Sequence, residues 1–462
     1  MNKKNNDSFR PAQVLVLGMV LFGFGLFGSA VWWRWRLAQG VNGQLRDLQA
    51  AGLPTSGAEL DRWYSAVPDS QNAALVMTQA FALRWTFPDR RSNEVDRFRL
   101  PPRGQRMATN EAALLSEYVE MNAGALAKAR EGLSLSKSRY PIDLSPGAFA
   151  LLPHLRPLKT LAQTANFSVQ VSLEAGRYAA ADESIGTIVH LARTLDNEPI
   201  LTSQLVRAAI LNIAVTSLER RLAFGQCNES ELVSLMDAFR SSQQSNLMAR
   251  ALIGERAMAI PYFRMSRAEM ERLARNDEDG NEEKPSGPPL SGPPPTFLRV
   301  TGLFERDLNF FLRVMETTIY ALSQPPPKTL EFTNSFEQSV LAARRKYYVL
   351  SSLFLPSLTK TAIKDAQVFA RSRLAVAAIG VERFRLAKGN LPEDLRELVP
   401  GFLPSVPIDP FDGAPIRYRR LTKGYVVYSI GSDGHDDGGK EPPSKRRGTE
   451  RIPEDITITV ER

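Results

Sequence analysis

Asp409 to Gly439 reads DPFDGAPIRYRRLTKGYVVYSIGSDGHDDGG. Ile416 and Tyr418 alternate with Arg417 and Arg419, the period of a half-buried strand. Thr422-Lys423-Gly424 supplies a short turn, with a glycine to take a positive φ. Tyr425 to Ile430, rich in aromatic and β-branched residues, reads as the returning strand. An acidic, glycine-rich loop follows, in which Asp433, Asp436 and Asp437 crowd three carboxylates into five residues. Such charges repel one another unless solvent or a cation separates them. Calcium takes six to eight hard oxygen ligands, and flexible glycine-rich backbone lets carbonyls join carboxylates around it. A solvated Asp-Gly turn with no metal is the other reading.

Working back from this stretch, Ser357 to Lys388 places Leu358, Ala362, Ala366, Ala370, Leu374, Ala377, Val381 and Phe384 at steps of three and four, one apolar stripe of a long helix. Gly389 stands where a helix C-cap belongs, and Pro392 at the first turn of a following helix, with Glu393 and Asp394 at its positive end. Working forward, Ile456-Thr457-Ile458-Thr459-Val460 alternates strictly and predicts the last strand of a small sheet.

The order of these steps resembles the C-terminal domain of the major (G-type) pseudopilins of type II secretion systems. The matching residues are Gly389-Asn390-Leu391-Pro392, then Leu403-Pro404 to Ile408-Asp409-Pro410-Phe411, Tyr418, and Tyr428-Ser429-Ile430-Gly431-Ser432-Asp433-Gly434. The resemblance covers roughly the last hundred residues of the 462. It implies a long helix with a small antiparallel sheet, and calcium in the acidic loop with Asp433, Asp437 and Asp455 as ligands. The chain departs from the family in a basic insertion, Lys440 to Arg451, and in lacking the family's processing site and the glutamate early in its apolar segment. Two other motif likenesses fail. An EF-hand needs an oxygen donor where His435 stands and a Glu where Ser444 stands. A phosphate loop needs Ser or Thr where Glu441 stands.

At the other end, Ala12 to Trp33 carries no charge, and Trp32, Trp33 and Trp35 interleave with Arg34 and Arg36. About twenty apolar residues cross a hydrocarbon layer, and Trp with Arg suits its interface. A single transmembrane anchor over residues 1–36 is expected; a signal peptide cleaved near Gly28-Ser29-Ala30 is the alternative. Basic residues flank both ends (Lys3, Lys4, Arg10; Arg34, Arg36, Arg46), so charge does not set orientation. The pseudopilin resemblance implies a body outside the cytoplasm, on the periplasmic side of an inner membrane.

Residues 37–275 read as a helical domain. Leu161 to Leu195 contains a helix ending near Gly176 and another beginning near Ala179, which resembles one tetratricopeptide-type hairpin. A solenoid needs about three or more such units, so an irregular bundle is an equal reading. Ile185, Ile188, Val189 and Ala192 form its core stripe. The acidic, proline-rich run 276–296 cannot bury enough apolar surface to order itself and reads as a linker or loop. Residues 297–356 continue the helical body, with Phe304, Leu308, Phe311, Leu312 and Met315 on one face.

The fold expected is mainly α: a transmembrane helix, a helical bundle or short helical-repeat body, and a long helix with a small antiparallel sheet at residues 357–462. The net charge of +8 arises from 58 basic against 50 acidic residues in mixed sequence, without a nucleic-acid-binding signature. The lone Cys227 excludes an internal disulfide, and His154, His190 and His435 lack zinc spacing. No nucleophile elbow or Cys/His pair is present. The functional expectation is a membrane-anchored, non-enzymatic structural or partner-binding protein in envelope or secretion-related assembly. The alternatives are a helical adaptor unrelated to secretion and a membrane-anchored enzyme.

Overall fold

The computed structural model describes residues 11–101, 104–225, 227–265, 302–358, 360–441 and 454–462. The expected linker at 276–296 and most of the basic insertion lie outside them. The described chain is mainly helical, with a three-stranded antiparallel sheet near the C-terminus.

Helix α1 runs without a break from Pro11 to Ala50. Short helices follow: α2 (Gly57–Trp63), α3 (Ala73–Ala82), α4 (Arg91–Arg97), α5 (Thr109–Met121) and α6 (Ala123–Glu131). The centre of the body is α7 (Leu155–Glu174), α8 (Tyr178–Arg193), α9 (Leu201–Ala223), α10 (Glu229–Ser241) and α11 (Leu247–Ala259). After residue 302 come α12 (Leu303–Ser323), α13 (Lys328–Glu331), α14 (Thr333–Arg345), α15 (Val349–Phe354) and α16 (Thr361–Lys388). Strands β1 (Arg417–Leu421), β2 (Gly424–Ser429) and β3 (Ile456–Glu461) pair in that order.

The hairpin expected around Gly176 is formed by α7 and α8, with Gly176 at φ 70° in the turn. The stripe Ile185, Ile188, Val189 and Ala192 is buried, as its period requires. One continuous apolar core joins α3, α6 to α10, α16 and the inner face of the sheet, where Tyr425, Val427, Ile458 and Val460 point. The core is therefore unbroken across residue 357. A second core gathers Val41 and Leu45 of α1 with α11, α12, α14 and α15.

Several local expectations shift. The long helix begins at Thr361 rather than Ser357, because a 3₁₀ turn occupies Leu355–Leu358. Within the helical segment expected at 297–356 the chain breaks at Tyr347, which takes φ 56° between α14 and α15. The new start is capped from a distance, since Asp307 on α12 accepts the backbone N–H of Leu350 (3.0 Å) and Ser351 (3.1 Å). Beyond Gly389, which ends α16 at φ 80°, the next turn starts after Asp394 and not at Pro392. Asp394 caps it by accepting the N–H of Arg396.

Helix α9 is the one described helix long and apolar enough to cross a membrane, but 56% of its apolar window is buried, so it serves as a core helix. In α1 the shorter apolar stretch Leu15–Gly25 has no such cover: Leu15, Leu17, Leu21, Phe22 and Phe24 are all exposed.

Gly254 shows how closely α11 packs on the connection that leads into α9. A Cβ there would run into the carbonyl of Pro199, which is backbone and has little room to retreat. Gly254→Ala should lower stability by about 1–3 kcal/mol, the usual cost of overpacking, seen as a lower urea midpoint at unchanged slope; an unchanged midpoint would mean that the α9–α11 junction yields.

Candidate functional site

The acidic loop closes against the end of β2. Asp409, fully buried, takes the Ser429 hydroxyl (2.8 Å) and the Ile430 N–H (3.0 Å), and Arg417 reaches its second oxygen at 3.1 Å. The same guanidinium binds Asp412 (2.6 Å) and Asp436 (3.1 Å). Arg417 is thus a built-in counter-cation, and the charge of Asp436 is not left to repel its neighbours. The sequence carried the signal, Asp409 and Asp412 just before Arg417, but strand alternation had assigned that arginine to solvent.

Asp455, at the root of β3, is buried and accepts the N–H of Gly439 (2.7 Å) and of Asp437 (3.4 Å). Burial, with Asp437 and Asp436 close by, pushes its carboxyl above the usual range against the pull of those two N–H groups. Asp437 in turn accepts the N–H of Glu454 at 3.4 Å. Asp433 instead accepts the N–H of His435 in its own turn. The fold therefore brings Asp437 and Asp455 together, tied to backbone donors, and turns Asp433 to a local cap. Among the described residues no group of three or more His, Cys, Asp or Glu is placed to hold a metal ion.

A different group of titratable side chains lines a cavity of about 420 Å³ between α8 and α10. Asp182, Gly186, Val189, His190 and Arg193 form one stripe of α8, spaced so that a helix brings them to one face. Helix α10 adds Glu231, Ser234, Leu235 and Ala238. Below them Arg221 of α9, almost fully buried, binds Asp182 at 2.9 Å, lies 4.0 Å from Glu231 and stacks on Tyr178. Burial pushes the Asp182 carboxyl up to about 6; Arg221 opposes this and Glu231 adds to it. Burial and then Arg193 bring His190 down to about 4, so its ring is neutral at pH 7. Perturbed groups converging in a cleft are the physical mark of a binding or reacting site. The spacing of the histidines gave no sign of this grouping, because Glu231 and Arg221 reach it from other helices.

A buried Ser, His and Glu also meet, without forming a nucleophile. His154 Nε2 lies 3.1 Å from Glu198 Oε1, and the Ser203 hydroxyl donates to that same oxygen. A serine is activated by an imidazole, whereas here both groups address the carboxylate. His154 stacks on Tyr140, and the set is a polar network inside the body.

Comparison with known protein families, with curated proteins and with solved structures found no match.

The two shifted groups act oppositely on stability. Between about pH 4 and 6 the folded chain holds a proton on Asp182 that the unfolded chain has lost, so this group favours folding as pH falls. Between about pH 6.5 and 4 the unfolded chain binds a proton that His190 in the fold refuses, so this group costs stability as pH falls. Urea midpoints measured from pH 7 to pH 4 should fall less steeply for His190→Gln than for the natural chain, and more steeply for Asp182→Asn. Parallel profiles would contradict the burial of both groups. Separately, Asp455→Ala should cost about 1–3 kcal/mol by stranding the buried Gly439 N–H and loosening the half-buried Asp437 N–H, a loss that persists in chelator.

Proposed function

We propose that this chain is a membrane-anchored, non-enzymatic structural or partner-binding protein, with its helical body outside the cytoplasm, in envelope or secretion-related assembly. The observation that carries the reading is α1. Its first turns expose leucine, valine and phenylalanine on every side, an apolar surface that water does not favour and a bilayer covers. Farther along the same helix, the chain docks: Arg34 pairs with Glu305 at 3.4 Å, Arg306 lies over the Trp33 ring, and Val41 and Leu45 enter the second core. The charge-free run is thus followed without interruption by a segment fixed to the body.

The remaining parts support a partner-binding role. The α7–α8 hairpin with Gly176 at its turn resembles the unit that tetratricopeptide-type arrays repeat, and the α8–α10 cavity opens beside it with charged ends. A long helix followed by three antiparallel strands supports the pseudopilin-like reading of the C-terminal region. Calcium belongs to that reading, with Asp437 and Asp455 as its first pair and Asp433 joining them.

Removing residues 1–36 should move the chain from the membrane to the soluble fraction while it still melts cooperatively, because the buried part of α1 begins at Val41. A full-length chain found soluble with its Met1 in place would refute the anchor. A periplasm-dependent reporter fused after Arg462 should be active; activity of only a cytoplasmic reporter would reverse the orientation.

A further inference from the structure

The cavity between α8 and α10 is polarised along its length. At one end stand Asp182 and Glu231, over Arg221; at the other stand His190 and Arg193. Eleven helical steps of α8 separate Asp182 from Arg193, about 16 Å along a helix axis. The wall between them is apolar: Gly186 and Val189 on α8 face Leu235 and Ala238 on α10. Beside Gly186 nothing approaches within 4 Å of where a Cβ would stand, so the middle is open.

Both ends hold polar atoms that have no hydrogen bond among the described residues. Asp182, 6% exposed, uses Oδ2 for Arg221, while its Oδ1, with the Glu231 carboxyl close by, meets no hydrogen-bond donor among the described residues. His190, 8% exposed, has none at Nε2. Arg193 Nε is likewise buried without a hydrogen bond; Asp196 Oδ2 stands 3.9 Å away, and Asp196 is already bound to Arg207 at 2.6 Å. Leaving such groups buried and unpaired is costly, and a ligand that pairs them recovers that cost. Glu183, also in the lining, is exposed and answered by Arg130 at 3.4 Å, so it adds little net field.

We propose that this trough binds a small dipolar molecule. Its ammonium lies against Asp182 Oδ1 and Glu231, its carboxylate or other anionic group against Arg193 and His190, and an aliphatic stretch crosses Gly186 and Val189. The acidic end requires a donor-rich cation because Arg221 occupies only one side of its carboxylates. The basic end requires an acceptor because Arg193 Nε, too far from Asp196 for a hydrogen bond, has none among the described residues, and a neutral His190 can donate from Nε2. An apolar middle excludes a ligand that is charged throughout.

The test is isothermal titration of the full chain in lipid nanodiscs with ω-amino acids of increasing length, from ω-aminohexanoate to ω-aminoundecanoate, with empty nanodiscs as blank. Diamines and dicarboxylates of equal length serve as controls. Affinity should rise with length until the chain spans the trough, and the long ω-amino acid should bind about tenfold tighter than either control, the effect of one charge-assisted contact. Glu231→Gln and Arg193→Gln should each erase that preference. Gly186→Leu should abolish binding by filling the middle while leaving both charged ends and the melting temperature in place. No binding by any ω-amino acid, a diamine or dicarboxylate that binds as tightly as the ω-amino acid of equal length, or unchanged binding in folded Gly186→Leu would each overturn the proposal. None of these outcomes depends on how the chain is anchored.

Discussion

The body depends on the burial of α16 from all sides. From Leu374 to Val381 every residue is buried, and four of the eight are alanine or glycine in the run Leu-Ala-Val-Ala-Ala-Ile-Gly-Val. Small side chains let α9, α10 and the sheet approach the same helix from different directions. Leu403 presses on Gly380, and the Tyr425 hydroxyl reaches the carbonyl of Ala378. A helix with an apolar stripe on one side only would have left one of these layers without a wall. The sheet is consequently more than an appendage: it supplies one face of the main core.

Around that core, buried charges are paired. Arg207 binds Asp196, Arg221 binds Asp182, and Arg462 binds both Glu382 and the carbonyl of Leu222. Such pairs add little net stability, since desolvation offsets their attraction, but removing one partner strands a charge and costs about 3–5 kcal/mol. They therefore act against misregister more than toward strength. The edge of β3 is handled in the same way, with Glu219 of α9 accepting the Thr459 N–H at 2.7 Å, so a free strand edge faces a carboxylate instead of solvent.

Sequence reading succeeded where the determinant is local. Gly176 and Gly389 mark helix ends through their left-handed backbone, and the alternation of Ile456 to Val460 marks a strand. The turn before β2 needs its glycine for a reason the sequence only half reveals: Gly424 takes φ 152°, and a Cβ there would meet the Val460 carbonyl of the neighbouring strand. Reading failed where the determinant is distant. Asp307 caps a helix 43 residues away, and nothing near Tyr348 announces that start. The α8–α10 cavity draws on residues from three helices, each of which looks like an ordinary position in its own periodicity. The acidic loop drew attention because its charges are adjacent in sequence, yet Arg417 had already answered one of them.

Helix α1 has a mechanical consequence. Forty residues of unbroken helix extend about 60 Å, and the last quarter is clamped into the body through Val41 and Leu45. A helix of this kind behaves as a stiff rod, not a tether. On the proposed anchoring, the body has no swivel: a change in bilayer thickness that alters the tilt of the apolar end turns the whole body with it. The entrance of the α8–α10 cavity would then keep a fixed bearing to the membrane plane, and the distance at which partners are met would be set by helix geometry rather than by the slack of a linker.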